Sequence, residues 1–358
     1  GSGPNCSKLK ADLGAEVIKT ERTGGGDEAR RRGPFLNDIP NPERSGLFLY
    51  LNINKRGITL DPKTQTGRKI FLELLRWADI LIEDKPPKEL EELGFTYENL
   101  KEVNPALIMV SITPFGQTGP YRDYKAYNLN LSHGAGAGYL TPGGSPNLER
   151  EPLKGGGLFD DYTAGLSAAV ATLAAFYYRE VSGTGQHIDA SKQQSVMDYD
   201  RVELDMYPNS SITRTRLKGK SLGGAMTRCK DGYVMPMALL GPQWDAFIDF
   251  LGNPDWGEKA ESTGLTVTLE PSEEFSRHLV EWMSSRTMEE IYHGAQAKRV
   301  PMAMVSSTAD VVNSPQYKAR GFFTEIEHPE AGRLKYPIAP YKFSETPSVV
   351  ERPAPLLG

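Results

Sequence analysis

Apolar residues in the first part of the chain come alternately in helical spacing and in short continuous runs. Residues 5–13 are helical in character and residues 16–21 extended. The β-branched run 57–61 predicts a strand. Residues 64–77 predict a helix, with Ile70, Phe71, Leu74, Leu75 and Trp77 at mostly helical spacing. Residues 78–83 predict a buried strand, 88–94 and 97–103 helical turns, and 106–112 another buried strand. This β/α alternation predicts a parallel sheet covered on both faces, a Rossmann-like layer.

The character changes near residue 216. Gly219, Gly223 and Gly224 loosen the chain, and residues 232–237 read as a strand. Helical stretches follow at 242–251, 273–284 and 288–297, which predicts a smaller α+β domain. After Val300-Pro301 the chain is expected to return to the large domain. The division is therefore 1–215 for the first part of the large domain, 216–300 for the small one, and 301–358 for the return. There is no internal repeat and no low-complexity tract.

The most informative stretch is Gly155-Gly156-Gly157-Leu158-Phe159-Asp160-Asp161-Tyr162-Thr163-Ala164-Gly165, a glycine-rich approach to a long helix of small and apolar residues. One carboxylate at a helix start is accounted for as a cap or as a complement to the helix dipole, and Asp160 is expected to fill that role. The glycines are not accounted for in that way, because they let a ligand's backbone-sized group approach closely. A partly desolvated carboxylate there, with free N–H groups nearby, has what a covalent nucleophile needs, and Asp161 is the candidate. Gly183 is expected to end the helix, and Gly185 to turn the chain into a short strand leading to another helix.

Composition narrows the classes. A chain of 358 residues suffices for a large domain and a smaller one. Its net charge of −5 argues against a nucleic-acid partner, whose site would be basic. The short run Arg30-Arg31-Arg32 reads either as a solvated turn or as a contact for an anionic cofactor. Cys6 and Cys229 are too few for a disulfide framework, so a reducing, cytoplasmic setting is expected. No apolar run reaches the roughly 18 residues needed to span a bilayer, and no signal peptide is visible.

Other cofactor motifs fail on context. Gly134-Ala135-Gly136-Ala137-Gly138 superficially resembles a dinucleotide-binding loop, but Thr141-Pro142-Gly143-Gly144 follows where a helix should continue. No Walker-type phosphate loop is present. His133, His187, His278, His293 and His328 show no paired metal spacing, so no metal is expected.

The run Tyr178-Arg179-Glu180-Val181-Ser182-Gly183-Thr184-Gly185-Gln186-His187-Ile188-Asp189-Ala190-Ser191, together with Asp161, closely resembles the signature of the class III CoA-transferases. This is the CaiB/BaiF family, which includes formyl-CoA transferase. Its pattern is an Asp-x-x-x-Gly helix start, a long Ala-rich helix and a Thr/Ser-Gly-x-Gly-Gln turn. Here Asp161 precedes Gly165 by four positions and Gly183 by 22 (183 − 161). The resemblance extends through Leu13-Gly14-Ala15-Glu16-Val17-Ile18, Tyr50-Leu51-Asn52-Ile53-Asn54-Lys55-Arg56-Gly57, Asn104-Pro105-Ala106-Leu107-Ile108 and Ala354-Pro355-Leu356-Leu357-Gly358. Several blocks in the right order carry weight that one alone would not. The resemblance also implies a strand before Gly3-Pro4 and a helix after Leu357-Gly358, neither of which is in this sequence. Without that strand its neighbours would lack ladder partners.

The resemblance implies a CoA-transferase that moves CoA from an acyl-CoA thioester to a carboxylic acid acceptor. Asp161 would form a mixed anhydride and then an aspartyl-CoA thioester. It also implies an obligate homodimer of two interlocked chains. CoA carries phosphates and an adenine, so its site wants cations and a flat stacking partner. The resemblance places Arg22 against the adenine and phosphates of CoA, Lys125 near the CoA, and Tyr127 beside the thioester. Lys55 and Arg56 lie in a shared motif, with a solvated turn as the alternative. Asp84 stands where relatives carry Asn and Glu92 where they carry Arg, with Lys85 and Lys88 able to compensate. Gly223 and Gly224 fall where the family keeps a mobile active-site loop, or else form an interdomain link. Residues 139–152 are expected to line the substrate pocket.

The same fold hosts α-methylacyl-CoA racemases, whose His–Asp pair should align with Tyr127 and Asn128. A phenol with a pKa of about 10 is a poor base at neutral pH, which favours transfer. The remaining alternatives are a CoA-thioester-binding protein without chemistry and an unrelated α/β enzyme. Asp161 and its 22-residue spacing argue against both.

Overall fold

A computed structural model describes residues 1–142, 144–145, 147–198, 201–218, 226–237, 241–257, 262–263, 266–267 and 272–358. The chain forms two compact units. The first comprises Gly1–Gly138, Lys154–Thr213 and Gln316–Gly358; the second comprises Tyr139–Leu153 and Arg214–Pro315.

The first unit opens with helix α1 (Ser2–Ala11), strand β1 (Val17–Glu21), helix α2 (Gly46–Leu51) and strand β2 (Lys55–Thr59). It continues with α3 (Gln65–Trp77), β3 (Ile80–Glu83), α4 (Pro87–Leu93), α5 (Tyr97–Val103), β4 (Ile108–Thr113) and α6 (Asn128–Gly134). The long helix α7 (Phe159–Ser182), the strand His187–Ser191 and helix α8 (Lys192–Met197) follow. Local signals set several of these limits. Thr64 caps α3 by accepting from the Gly67 amide. Gly94 and Gly183 end α4 and α7 in the left-handed conformation, at φ 66° and 70°.

The first unit is mixed α/β with parallel strands, as the alternation predicts, but among the described residues they fall into two sheets. β1 pairs with β2, register Val17 to Lys55. That pairing places β2 two residues earlier than the predicted 57–61. The second sheet runs β3–β4–His187–Ser191, with Ile80 opposite Ile108 and Met109 opposite His187. Every residue of β4 is buried, because both faces of this sheet are covered. On one face Ile108, Val110 and Ile112 pack with Cys6 of α1 and Ala164, Ala168 and Ala175 of α7. On the other, Met109 packs with Leu75, Leu90, Phe95 and Leu100 from α3 to α5 and the turn after α4.

A third cluster joins Phe48 and Leu49 of α2 to an antiparallel hairpin, Phe323–His328 with Gly332–Pro337. Arg30 is part of this wall, which corrects the reading of Arg30-Arg31-Arg32 as a solvated or cofactor-facing run. Arg30 is fully buried. Its guanidinium bonds Glu21 at two 2.8 Å contacts and Glu43 at 2.8 Å, and it stacks 3.6 Å from the Phe48 ring centroid. A fork of fixed N–H donors flanked by two carboxylates makes this a structural pair.

The second unit has its own core of Val234, Trp244, Phe247, Phe275, Leu279, Met283 and Ile291. Its three-stranded sheet pairs Met302–Met304 antiparallel with Tyr233–Pro236, which in turn pairs with Thr227–Arg228. Among the described residues no helix is long and apolar enough to cross a membrane.

Candidate active site

Helix α7 begins at Phe159, with Leu158 in the cap position and no side-chain cap bond. Asp160 is therefore not the cap. Both aspartates lie in the first turn, where the helix dipole favours negative charge. Asp161 is 8% exposed, and two donors converge on its Oδ1: Ser2 Oγ at 2.8 Å and Lys192 Nζ at 3.0 Å. Burial pushes this carboxyl up. The Lys192 ammonium and the hydrogen bonds from Ser2 and Lys192 oppose this, and the group lies below the usual carboxylate range. Asp161 is thus ionised at neutral pH. Asp160 goes the other way: burial pushes it up, Lys154 pulls against this, and the charge of Asp161 adds to the rise. Among the described residues its Oδ2 is buried without a hydrogen-bond partner.

Gly165 explains why a glycine must follow one turn after Asp161. A Cβ there would meet Asn5 Nδ2 at 2.7 Å and the Ser2 carbonyl at 2.8 Å. Without one, α1 lies directly along α7 and brings Ser2 onto Asp161; Asn5 Nδ2 donates to the Tyr162 carbonyl at 3.1 Å and fixes the crossing. On the approach to the helix, Gly157 has φ 70° and so needs glycine, whereas Gly155 and Gly156 face open space. Among the described residues no packing requires glycine at those two positions.

Of the other expected site residues, Asp84 and Lys55 come to the start of α1. Asp84 follows β3 at the same end of α1: a Cβ on Gly3 would sit 3.1 Å from its Oδ2, as one on Gly1 would sit 2.5 Å from Asp161 Oδ1. Lys55 reaches this turn too. It is buried, and its Nζ donates to the Pro4 carbonyl at 2.8 Å and to Asn52 Oδ1 at 3.0 Å. Burial lowers its pKa well below the ordinary lysine value. Lys55 is therefore not in a solvated turn, although its neighbour Arg56 is exposed and pairs with Glu16 at 3.1 Å. Lys85 is exposed and pairs with Glu89 at 3.7 Å.

Arg22, at the end of β1, and Lys125 are exposed, as is Tyr127 at the start of α6, where the Tyr127 amide donates to Asn130 Oδ1 at 2.9 Å. Among the described residues none of these three bonds Asp161. Gly223 and Gly224 lie outside the described residues. Among the described residues no group of His, Cys, Asp and Glu could hold a metal ion.

Lys192 and Ser2 escaped the linear reading. A signal for Lys192 was present. Ser191 caps α8 by accepting from the Gln194 amide, which puts an ammonium on the first helical residue, against the dipole. A cation so placed needs a nearby anion, and Asp161 is that anion.

The family model described as CoA-transferase family III matches residues 1–358. A formyl-CoA:oxalate CoA-transferase from Rhodopseudomonas palustris strain BisA53 is 32% identical over 384 aligned residues, covering 100% of this chain and 88% of the relative. One from Bradyrhizobium diazoefficiens is 31% identical, with the same coverage. Among solved structures, a CaiB/BaiF family protein from Brucella suis matches with 27% identity and a TM-score of 0.82, over 99% of this chain and 92% of that one. The fold is also that of Rv3272 from Mycobacterium tuberculosis, with 24% identity, a TM-score of 0.82 and coverage of 100% and 93%. The chain belongs to CoA-transferase family III and is a CoA-transferase.

Proposed function

We propose that this family III CoA-transferase carries CoA from an acyl-CoA thioester to a carboxylic acid through a covalent bond to Asp161. The observation that carries this reading is a nearly buried, ionised carboxylate beyond a glycine approach, with two donors already aimed at one of its oxygens. Asp161 attacks the thioester carbonyl; the C–S bond breaks and CoA leaves as thiolate, giving a mixed anhydride. The thiolate then attacks Cγ of Asp161 and displaces the donor acid as its carboxylate, which leaves an aspartyl-CoA thioester. The acceptor carboxylate runs the two steps in reverse and departs as the new thioester. Each step is acyl transfer and develops an oxyanion that needs preorganised donors.

Formyl-CoA and oxalate are the first donor and acceptor to test, by likeness to relatives that carry those names. The exposed cations Arg22, Lys125 and Lys85 suit CoA phosphates, with Asp84 an opposing charge next to Lys85 in sequence. Tyr127 is assigned to the thioester end. Asp161→Ala abolishes oxalyl-CoA formation while leaving CoA affinity within a few-fold. Retained turnover in that variant would sink the proposal.

A further inference from the structure

The two oxygens of Asp161 are not equivalent. Lys192 Nζ and Ser2 Oγ both donate to Oδ1, and among the described residues nothing donates to Oδ2. The Lys192 side chain is 17% exposed and sits on the first residue of α8, where the helix dipole disfavours it. Such a placement is costly for a lysine that only decorates a surface.

We propose that Oδ2 is the attacking oxygen, and that Lys192 and Ser2 form the oxyanion site for Oδ1 when Asp161 itself becomes the electrophile. This rests on the reading of Asp161 as the covalent nucleophile. An oxygen engaged by an ammonium and a hydroxyl has its lone pairs occupied and is the poorer nucleophile, which leaves Oδ2 to bond the donor's carbonyl carbon. In the next step the thiolate adds to Cγ, and an electron pair moves onto Oδ1. The Cγ–Oδ2 bond then breaks, and the donor acid leaves as a carboxylate that carries Oδ2 away. Oδ1 holds a share of one negative charge in the resting carboxylate, but nearly a whole charge in the tetrahedral intermediate. Fixed donors at 2.8 and 3.0 Å therefore stabilise the intermediate more than the ground state, which is the condition for acceleration. Ser2 reaches this position because Gly165 lets α1 lie against α7.

The bland alternative is a buried ion pair that only holds α7 to α8. Lys192→Met, Lys192→Arg and Lys192→Ala separate the two. Oxyanion stabilisation predicts that Lys192→Met lowers kcat by about 100-fold or more with little change in KM for acyl-CoA. Lys192→Arg should retain a substantial part of the rate, and added methylammonium should restore turnover to Lys192→Ala. The acid limb of the Lys192→Met pH profile should move to higher pH, because burial is then less opposed. Folded Lys192→Met or Lys192→Ala enzyme keeping kcat within about 3-fold would overturn the proposal, as would no response of Lys192→Ala to methylammonium. Failure of the underlying reading shows separately, as turnover that survives Asp161→Ala.

Discussion

Arg30 shows what a buried charge costs when its partners are removed. Its guanidinium is enclosed by Glu21, Glu43 and the face of Phe48, and Glu21 is itself buried. Arg30→Met leaves that carboxylate buried without its fork of donors, so a loss of about 3–5 kcal/mol is expected in urea unfolding. Asp161 behaves differently, since its carboxyl is held below the usual range. Its stabilising effect is full above the unfolded pKa of about 3.9 and is lost as pH falls through the lower folded value. Transfer by the wild type should accordingly show no loss attributable to Asp161 between pH 7 and pH 5. Asp161 was legible from its spacing to Gly165 and Gly183, because motif and helix pattern coincide there. Arg30 was not, because a run of three arginines gives no hint that its first member turns inward and the next two do not.

At the scale of elements, the crossing of α1 over α7 builds the site, and one missing Cβ makes it possible. Gly165→Val places atoms within 3 Å of Asn5 and the Ser2 carbonyl, so a loss of about 1–3 kcal/mol is expected, along with a fall in transfer as Ser2 moves off Asp161. The end of β3 offers a second test. Burial, opposed by bonds from Ser111 and the Lys85 amide, pushes the Glu83 carboxyl up to about 7. A raised folded value means stability is full below the unfolded pKa of about 4.3 and declines as pH rises through about 7. Glu83→Gln should therefore raise the melting temperature at pH 8 and change it little at pH 4. Helices α3, α5 and α7 were legible in the sequence, and Gly183 ends α7 as expected, although the cap expected at Asp160 is not there. Helices α2 and α6, of 6 and 7 residues, were not. The hairpin at 323–337 escaped because its first strand buries only Ile326 and His328, which leaves too little alternation to read.

For the whole molecule, α7 carries the clearest sign of a missing neighbour. Leu166, Val170, Leu173, Tyr177 and Val181 recur every three or four residues, so they share one face of the helix, and each is more than half exposed. This continuous apolar stripe is a surface that the homodimer implied by the family resemblance would cover. Light scattering should give twice the mass of one chain, and Val170→Glu with Val181→Glu should shift it toward one. The sequence could not reveal this stripe as exposed, since an apolar face on an Ala-rich helix reads as core from either side. The proposed function and the inference about Lys192 and Ser2 rest on the covalent role of Asp161, and acyl-CoA loading tests that most directly. Enzyme incubated with formyl-CoA, quenched with hydroxylamine and mapped by mass spectrometry should carry a hydroxamate on Asp161 only when the thioester was present. An unmodified Asp161 in enzyme that still turns over formyl-CoA would contradict the account.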